Sequence, residues 1–289
     1  MARQKKYDRA AEDVGNIVSL EHVNVLVPDQ QVATTFYISG LGLTRDPFMM
    51  TGGDIMWVNI GRSQFHLPTR GTQVLRGHTG LVIQDYARLP DRLKTVRPDL
   101  KGTKFSYRRG KDWIDVTCPW GNRYRCFPPD GRLGAIAHGM PYVCFDVPKG
   151  TADGIARFYA DIIGAPSVVE RFNGARAAQV SAGPDQKLIF RETSAKPAKF
   201  DGHHVQVYIA DFSSPHRALL ERGLVTEESD EHQYRFEGIV DPDSGEHLFT
   251  IEHEVRSLHH PLYARPLVNR NPGQRIMTYQ PGGDALDVG

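Results

Sequence analysis

The stretch His22-Val-Asn-Val-Leu-Val27 decides the fold, because three stretches of the same kind follow it along the chain. In each stretch, apolar residues occupy every second position and so share one face, which is the pattern of a half-buried β-strand. The other three are His78-Thr-Gly-Leu-Val-Ile83, Tyr142-Val-Cys-Phe-Asp-Val147 and His204-Val-Gln-Val-Tyr-Ile209. The stretches begin at residues 22, 78, 142 and 204, so successive starts lie 56, 64 and 62 residues apart. This near-even spacing predicts an internal repeat of four modules.

Each of the four strands is followed by a helical pattern and then by further strand-like runs. Asp29 is a suitable N-cap for the first helix. In the third module Ile155, Phe158, Tyr159 and Ile162 recur at the spacing of one helix face. Glycine, proline and aspartate separate the later runs, as expected for turns between strands. The sequence therefore predicts an α+β protein of four βαβββ modules.

The two faces of the first strand differ in chemistry. Val23, Val25 and Val27 share one face, while His22 and Asn24 share the other. The fourth strand repeats this arrangement, with His204 and Gln206 opposite its aliphatic residues. We expect the helices to cover the aliphatic face and the polar face to line a site.

Composition and charge exclude several classes of protein. A formal net charge of +1 gives no electrostatic support for a nucleic-acid partner. The three cysteines contain no CxxC pair, which favours a reducing compartment over a disulfide framework. No apolar run is long enough for a membrane span. We expect a cytoplasmic protein of small-molecule metabolism, with no nucleic-acid or membrane partner, and the sequence leaves open a homo-oligomer.

Several motifs resemble those of the vicinal oxygen chelate (glyoxalase/bleomycin-resistance/dioxygenase) superfamily. They are the run Leu20-Glu-His-Val-Asn-Val-Leu-Val-Pro-Asp29, the pair Phe36-Tyr37, Leu41-Gly-Leu43, and Asp241-Pro-Asp-Ser-Gly245 before a last strand. The resemblance implies a four-module single chain in which modules pair to close two cup-shaped curved sheets. We expect a first domain at residues 1–133 that carries the site, and a degenerate second domain at residues 134–289 that ends in a C-terminal tail.

The resemblance also implies where metal ligands would stand: on the first and the last strand of each module. The matching positions are His22 and His66, His78 and Arg125, Tyr142 and Ile189, and His204 and Phe249. We therefore predict His22, His66 and His78 as ligands of Zn²⁺, Fe²⁺, Mn²⁺ or Ni²⁺ in one cup, with an open position for substrate.

A substrate with an acid group would suit the remaining polar residues of that cup. A guanidinium such as that of Arg125 binds a carboxylate well, Arg123 shares its strand face, and Asn24 could add a hydrogen bond. No catalytic base is assigned. The sequence thus favours a metal-dependent isomerase, lyase or dioxygenase that chelates substrate oxygens.

Two other functions remain open at this stage. Arg125 stands where the family usually has a carboxylate, and a guanidinium cannot ligate a cation. This departure favours a metal-free protein that sequesters a small aromatic or acidic ligand. An extradiol ring-cleaving dioxygenase is less well supported. For such a dioxygenase, the family resemblance implies that two histidines and a glutamate in the third and fourth modules bind the metal. Tyr142, His204 and Phe249 stand at the matching positions of this sequence.

Overall fold

The computed structural model describes residues 7–47 and 54–267. Sixteen strands lie in these ranges, four in each module. Modules one and two contain β1 (Ile17–Asn24), β2 (Thr44–Arg45), β3 (Ile55–Ile60), β4 (Ser63–Pro68), β5 (Gly77–Val82), β6 (Ser106–Arg109), β7 (Ile114–Thr117) and β8 (Arg123–Phe127). Modules three and four contain β9 (Gly139–Pro148), β10 (Ser167–Phe172), β11 (Ala175–Ser181), β12 (Lys187–Thr193), β13 (His204–Ile209), β14 (Val225–Asp230), β15 (Gln233–Val240) and β16 (His247–Ser257).

One helix follows the first strand of every module, as the repeat predicts. The helices are α1 (Gln30–Ala33), α2 (Leu89–Val96), α3 (Ala152–Arg157) and α4 (Ser213–Glu221). Helices α1 and α3 continue as π-helical turns, Thr34–Gly40 and Phe158–Ile163, and single 3-10 turns lie at Ala10–Glu12 and Tyr86–Arg88. The side chain of Asp29 accepts a hydrogen bond from the Val32 amide and so caps α1, as expected.

The sixteen strands form two mixed eight-stranded sheets, which confirms the α+β fold of paired curved sheets. The first sheet has the order β14-β15-β16-β13-β1-β4-β3-β2, and the second has the order β10-β11-β12-β9-β5-β8-β7-β6. In each module the first strand pairs in parallel with the last, as β1 does with β4 and β13 with β16. The module is therefore the repeating unit of both sheets.

The pairing of modules differs from the expected one. Strand β1 pairs antiparallel with β13, which joins module one to module four, and β5 pairs antiparallel with β9, which joins module two to module three. Each sheet thus takes strands from both sides of residue 133. The sheets do not follow the predicted division into residues 1–133 and 134–289, because the first and last modules close one cup and the middle two close the other.

The aliphatic faces of both sheets pack into one hydrophobic core. Val23 and Val205 lie on the core faces of β1 and β13, and Phe36 and Tyr159 of the helices are buried with them. Within the described ranges, none of the helices has the length and apolar character that a bilayer crossing requires. Of the C-terminal tail, residues 258–267 are described, and residues 268–289 lie outside the described ranges.

Candidate functional site

The polar face of the first sheet carries four side chains at equivalent positions of modules one and four. We call this group, His22, His66, His204 and Glu254, the histidine cup. His66 of β4 lies opposite Asn24 of β1, and Glu254 of β16 lies opposite Gln206 of β13. Each module therefore contributes a histidine from its first strand and a potential ligand from its last strand.

The position equivalent to His66 in module four is Glu254, so the expected match at Phe249 is wrong. Strand β16 is eleven residues long, and its register against β13 places Glu252 opposite His204 and Glu254 opposite Gln206. Phe249 instead packs its ring against Phe145 in the core. Because alternation puts residues 252 and 254 on the face opposite that of residue 249, both carboxylates point with His204.

The ligand atoms of the histidine cup fall into two close groups that share His22. Those of His22, His204 and Glu254 lie within 4.8 Å of one another, and so do those of Glu21, His22 and His66. All five side chains are almost fully buried. Imidazole nitrogens and carboxylate oxygens at this spacing could hold a divalent transition metal.

The hydrogen bond of His22 fixes which of its nitrogens carries the proton. Its Nδ1 lies 3.0 Å from the Glu21 carboxylate, which can only accept, so Nδ1–H donates and Nε2 keeps its lone pair. Among the described residues this buried Nε2 has no hydrogen-bond partner. An imidazole held by a carboxylate, with its other nitrogen unpartnered, is the arrangement found in metal-ligating histidines.

His66 is oriented by a chain of polar contacts that begins in the C-terminal tail. Arg265 pairs with Asp46 at 2.5 Å, Asp46 accepts from Gln64 Nε2 at 2.8 Å, and Gln64 Oε1 lies 3.0 Å from His66 Nε2. Since an amide oxygen only accepts, His66 Nε2 donates and Nδ1 keeps the lone pair. Trp57 stacks on the His66 ring with centroids 3.8 Å apart, which holds the ring plane.

The electrostatics of the histidine cup keep His22, His66 and Glu254 in their ligating forms. Burial lowers the pKa of His22 despite the hydrogen bond that it donates to Glu21, and burial together with the neighbouring charges holds the pKa of His66 well below its usual value. Burial opposes ionisation of Glu254, yet Arg256 and His204 hold its pKa well below the ordinary value. The imidazoles of His22 and His66 are therefore neutral near pH 7, while Glu254 is ionised.

The charges of the cup are nearly balanced, with a small negative excess. Arg235 pairs with Glu252 and Glu254, and Arg256 pairs with Glu254 at 2.6 Å and with Glu21 at 3.4 Å. Three carboxylates thus face two guanidinium groups. The remaining negative charge favours a cation over an anion at this site.

The other predicted site residues lie in the second sheet. His78 and Gly80 are on β5, and Arg125 of β8 lies opposite Gly80. We call the face that carries His78, Arg123, Arg125 and Arg191 the arginine cup. Since β5 is in the second sheet, His78 does not join His22 and His66 in one cup, and the predicted triad of histidines is not assembled.

The structure therefore divides the predicted residues between two cups. Asn24 stays with His22 and His66, because it lies opposite both His66 and His204. Arg125 and Arg123 go with His78. Sequence reasoning gave His204 a ligand position, but in the domain expected to be degenerate, and it did not assign Glu254 as a ligand. The alternation in Ile251-Glu-His-Glu-Val-Arg256, which parallels that in Gln64-Phe-His66, was the signal that could have found Glu254.

Comparison with known proteins establishes the fold. No protein-family model and no curated protein matches the sequence. Among solved structures, the chain is similar to glyoxalase I from Zea mays, with 14% identity over 83% of this chain and 92% of that chain and a TM-score of 0.57. It is also similar to a candidate dioxygenase from Bacillus subtilis subsp. subtilis str. 168, with 15% identity over 87% of each chain and a TM-score of 0.56. The chain therefore shares its fold with these two proteins, as the sequence resemblance implied.

Proposed function

We propose that the protein is a metal-dependent enzyme acting on a small molecule, with its centre in the histidine cup. His22, His66, His204 and Glu254 would hold a divalent metal, in place of the triad that includes His78. The observation that carries this proposal is the buried His22 Nε2, whose lone pair has no partner among the described residues while Glu21 holds Nδ1.

The donor set fits a transition metal better than magnesium or calcium. Three imidazoles and one carboxylate suit Zn²⁺, Fe²⁺, Mn²⁺ or Ni²⁺, whereas the harder cations prefer oxygen ligands. A bound metal would supply a Lewis acid for negative charge that develops on substrate oxygens. This chemistry is shared by the isomerases, lyases and dioxygenases to which the fold is related, and none of these reactions is singled out.

The protein's own side chains would orient the substrate around such a centre. Asn24 lies where modules one and four meet, opposite His66 of module one and His204 of module four. The amide of Gln206 is buried, and neither its nitrogen nor its oxygen has a hydrogen-bond partner among the described residues. We assign Gln206 to hydrogen bonds with substrate oxygens, since a buried amide without a partner is costly unless a ligand satisfies it. Asn24 would add a further hydrogen bond from its place opposite His66 and His204.

A second candidate is a metal-free protein that sequesters a small acidic ligand. The ion pairs of Arg235 and Arg256 with Glu254 favour it, because they compensate the carboxylate without a metal. Elemental analysis separates the two functions. Protein purified without a histidine tag or chelator, then incubated with Zn²⁺, Fe²⁺, Mn²⁺ and Ni²⁺ in turn, should retain about one metal per chain. Protein that stays metal-free in all four would exclude the enzyme and leave the binding protein.

A further inference from the structure

The arginine cup occupies in the second sheet the positions that the histidine cup occupies in the first. The four equivalent residues are His78, Arg125, Tyr142 and Ile189. Arg125 stands opposite Gly80 as His66 stands opposite Asn24. A guanidinium, a phenol and an aliphatic side chain cannot together replace the imidazoles and carboxylate of the histidine cup. The two cups therefore have the same strand arrangement but different functional groups at their equivalent positions.

The charge of the arginine cup is opposite in sign to that of the histidine cup. Arg108 and Arg125 share Asp115, each at 3.3 Å, while Arg123 and Arg191 share Asp146. The three arginines of the cup and the neighbouring Arg108 face two carboxylates, which leaves an excess of two positive charges. His78 adds none, because burial, together with Arg125, Arg191 and Arg123, lowers its pKa to about 3.

The four arginines, Asp115 and His78 line a cavity of about 260 Å³. His78, Arg125 and Arg191 lie in its wall, and Arg125 and Arg191 are mostly buried, with side chains 21% and 23% exposed. Because partial burial lowers the effective dielectric constant, these two arginines interact with an anion more strongly than surface arginines do. Benzene fills an engineered protein cavity of about 150 Å³, so a compact organic anion would fit here.

Aromatic rings pack against two residues of the cavity wall, His78 and Arg125. The Arg125 guanidinium lies over the Trp113 ring, 4.8 Å from its centroid, and Phe172 lies nearly parallel to the His78 ring at 6.3 Å. The Tyr142 ring packs edge-on against both His78 and Phe172. Its close approach to β5 requires Gly80, where a Cβ atom would lie 2.3 Å from the ring. Flat apolar surfaces therefore adjoin the guanidinium groups.

We propose that the arginine cup is a second ligand site, which binds a small organic carboxylate with a flat apolar group. Arg125 and Arg191 would hold the carboxylate, and the apolar group would extend to the rings of Tyr142, Phe172 and Trp113, which pack against the wall residues His78 and Arg125. Guanidinium groups recognise carboxylates through paired hydrogen bonds, and aromatic side chains favour stacking with a flat partner. The site does not depend on a metal in the histidine cup.

Calorimetric titration of the full-length protein with three probes tests this proposal. Benzoate carries both the charge and the ring, benzamide carries the ring without the charge, and inorganic phosphate carries the charge without the ring. Benzoate should bind with one site per chain. Benzamide should bind at least about tenfold more weakly, since a charged hydrogen bond is worth a tenfold effect or more. Phosphate should also bind more weakly than benzoate, because it has no ring to contact the aromatic side chains. Equal binding of benzamide, or tighter binding of phosphate, would overturn the proposal.

Variants locate the site. Arg125→Met and Arg191→Met should each weaken benzoate binding at least about tenfold, whereas Arg222→Met, which replaces an exposed arginine after α4, should leave it unchanged. Circular dichroism would show that each variant is folded. Metal content should be the same in all three variants, so failure of this site is distinguishable from failure of the histidine cup. Unchanged benzoate affinity in both folded cup variants would contradict the assignment.

Discussion

The imidazole rings of His22 and His66 lie face to face, with centroids 3.6 Å apart and planes inclined by 23°. Trp57 covers the other face of His66 at 8° to its plane. Two protonated rings could not share such a contact, because their charges would repel in a buried environment. The stack therefore depends on neutral imidazoles, which are the form that ligates a metal.

The two carboxylates of β16 should differ in their effect on metal binding. Glu254 is equivalent to His66, whereas Glu252 lies opposite His204. Glu254→Gln should lower retained metal at least about tenfold, as expected for loss of a ligand or its supporting group. Glu252→Gln is a matched control, since both carboxylates pair with Arg235, and it should retain most of the metal. Equal loss in the two variants would argue against Glu254 as the ligand.

The buried pair of Arg265 and Asp46 should contribute strongly to stability. Both side chains are almost fully buried, at 3% and 0% exposure. Arg265→Met would leave the Asp46 carboxylate buried without its guanidinium, which typically costs about 3–5 kcal/mol. Urea unfolding should show this loss, and the double variant Arg265→Met/Asp46→Asn should recover a large part of it. If Arg265→Met were as stable as the wild type, the ion pair between the tail and module one would not stabilise the fold.

His78 should make the protein less stable in acid. Its folded pKa of about 3 lies below the unfolded value of about 6.5, so folding excludes a proton that the unfolded chain binds. The resulting destabilisation is absent above pH 6.5 and grows by about 1.4 kcal/mol per pH unit below it, to about 2 kcal/mol at pH 5. The variant His78→Gln lacks this contribution. Urea unfolding of both proteins at pH 7 and pH 5 measures it, and an equal pH dependence would contradict the prediction.

The repeat was predictable because alternation and spacing are local properties of the sequence. Four strands that begin near His22, His78, Tyr142 and His204 are all present, each followed by a helix. The partner of each module was not predictable in the same way. Alternation fixes which face of a strand is buried, but the pairing of β1 with β13 joins residues 180 to 192 positions apart, and no local pattern encodes it.

The site was predicted in part for the same reason. His22, His66 and Asn24 lie together because they belong to one module. Glu254 was missed because the register of β16 cannot be read from the turn before it: the pairing of β15 with β16 shifts near Gly238 and Val240. A bulge of this kind moves the equivalent position along the strand, and only the three-dimensional pairing shows where it falls.

The measurement that tests the central claim most directly is the metal content of two histidine variants, one from each cup. His204→Ala and His78→Ala each remove one mostly buried imidazole from the first strand of a module. After identical loading and removal of free metal, elemental analysis should find His204→Ala nearly metal-free and His78→Ala with as much metal as the wild type. Loss of metal in His78→Ala with retention in His204→Ala would contradict the assignment of the metal to modules one and four.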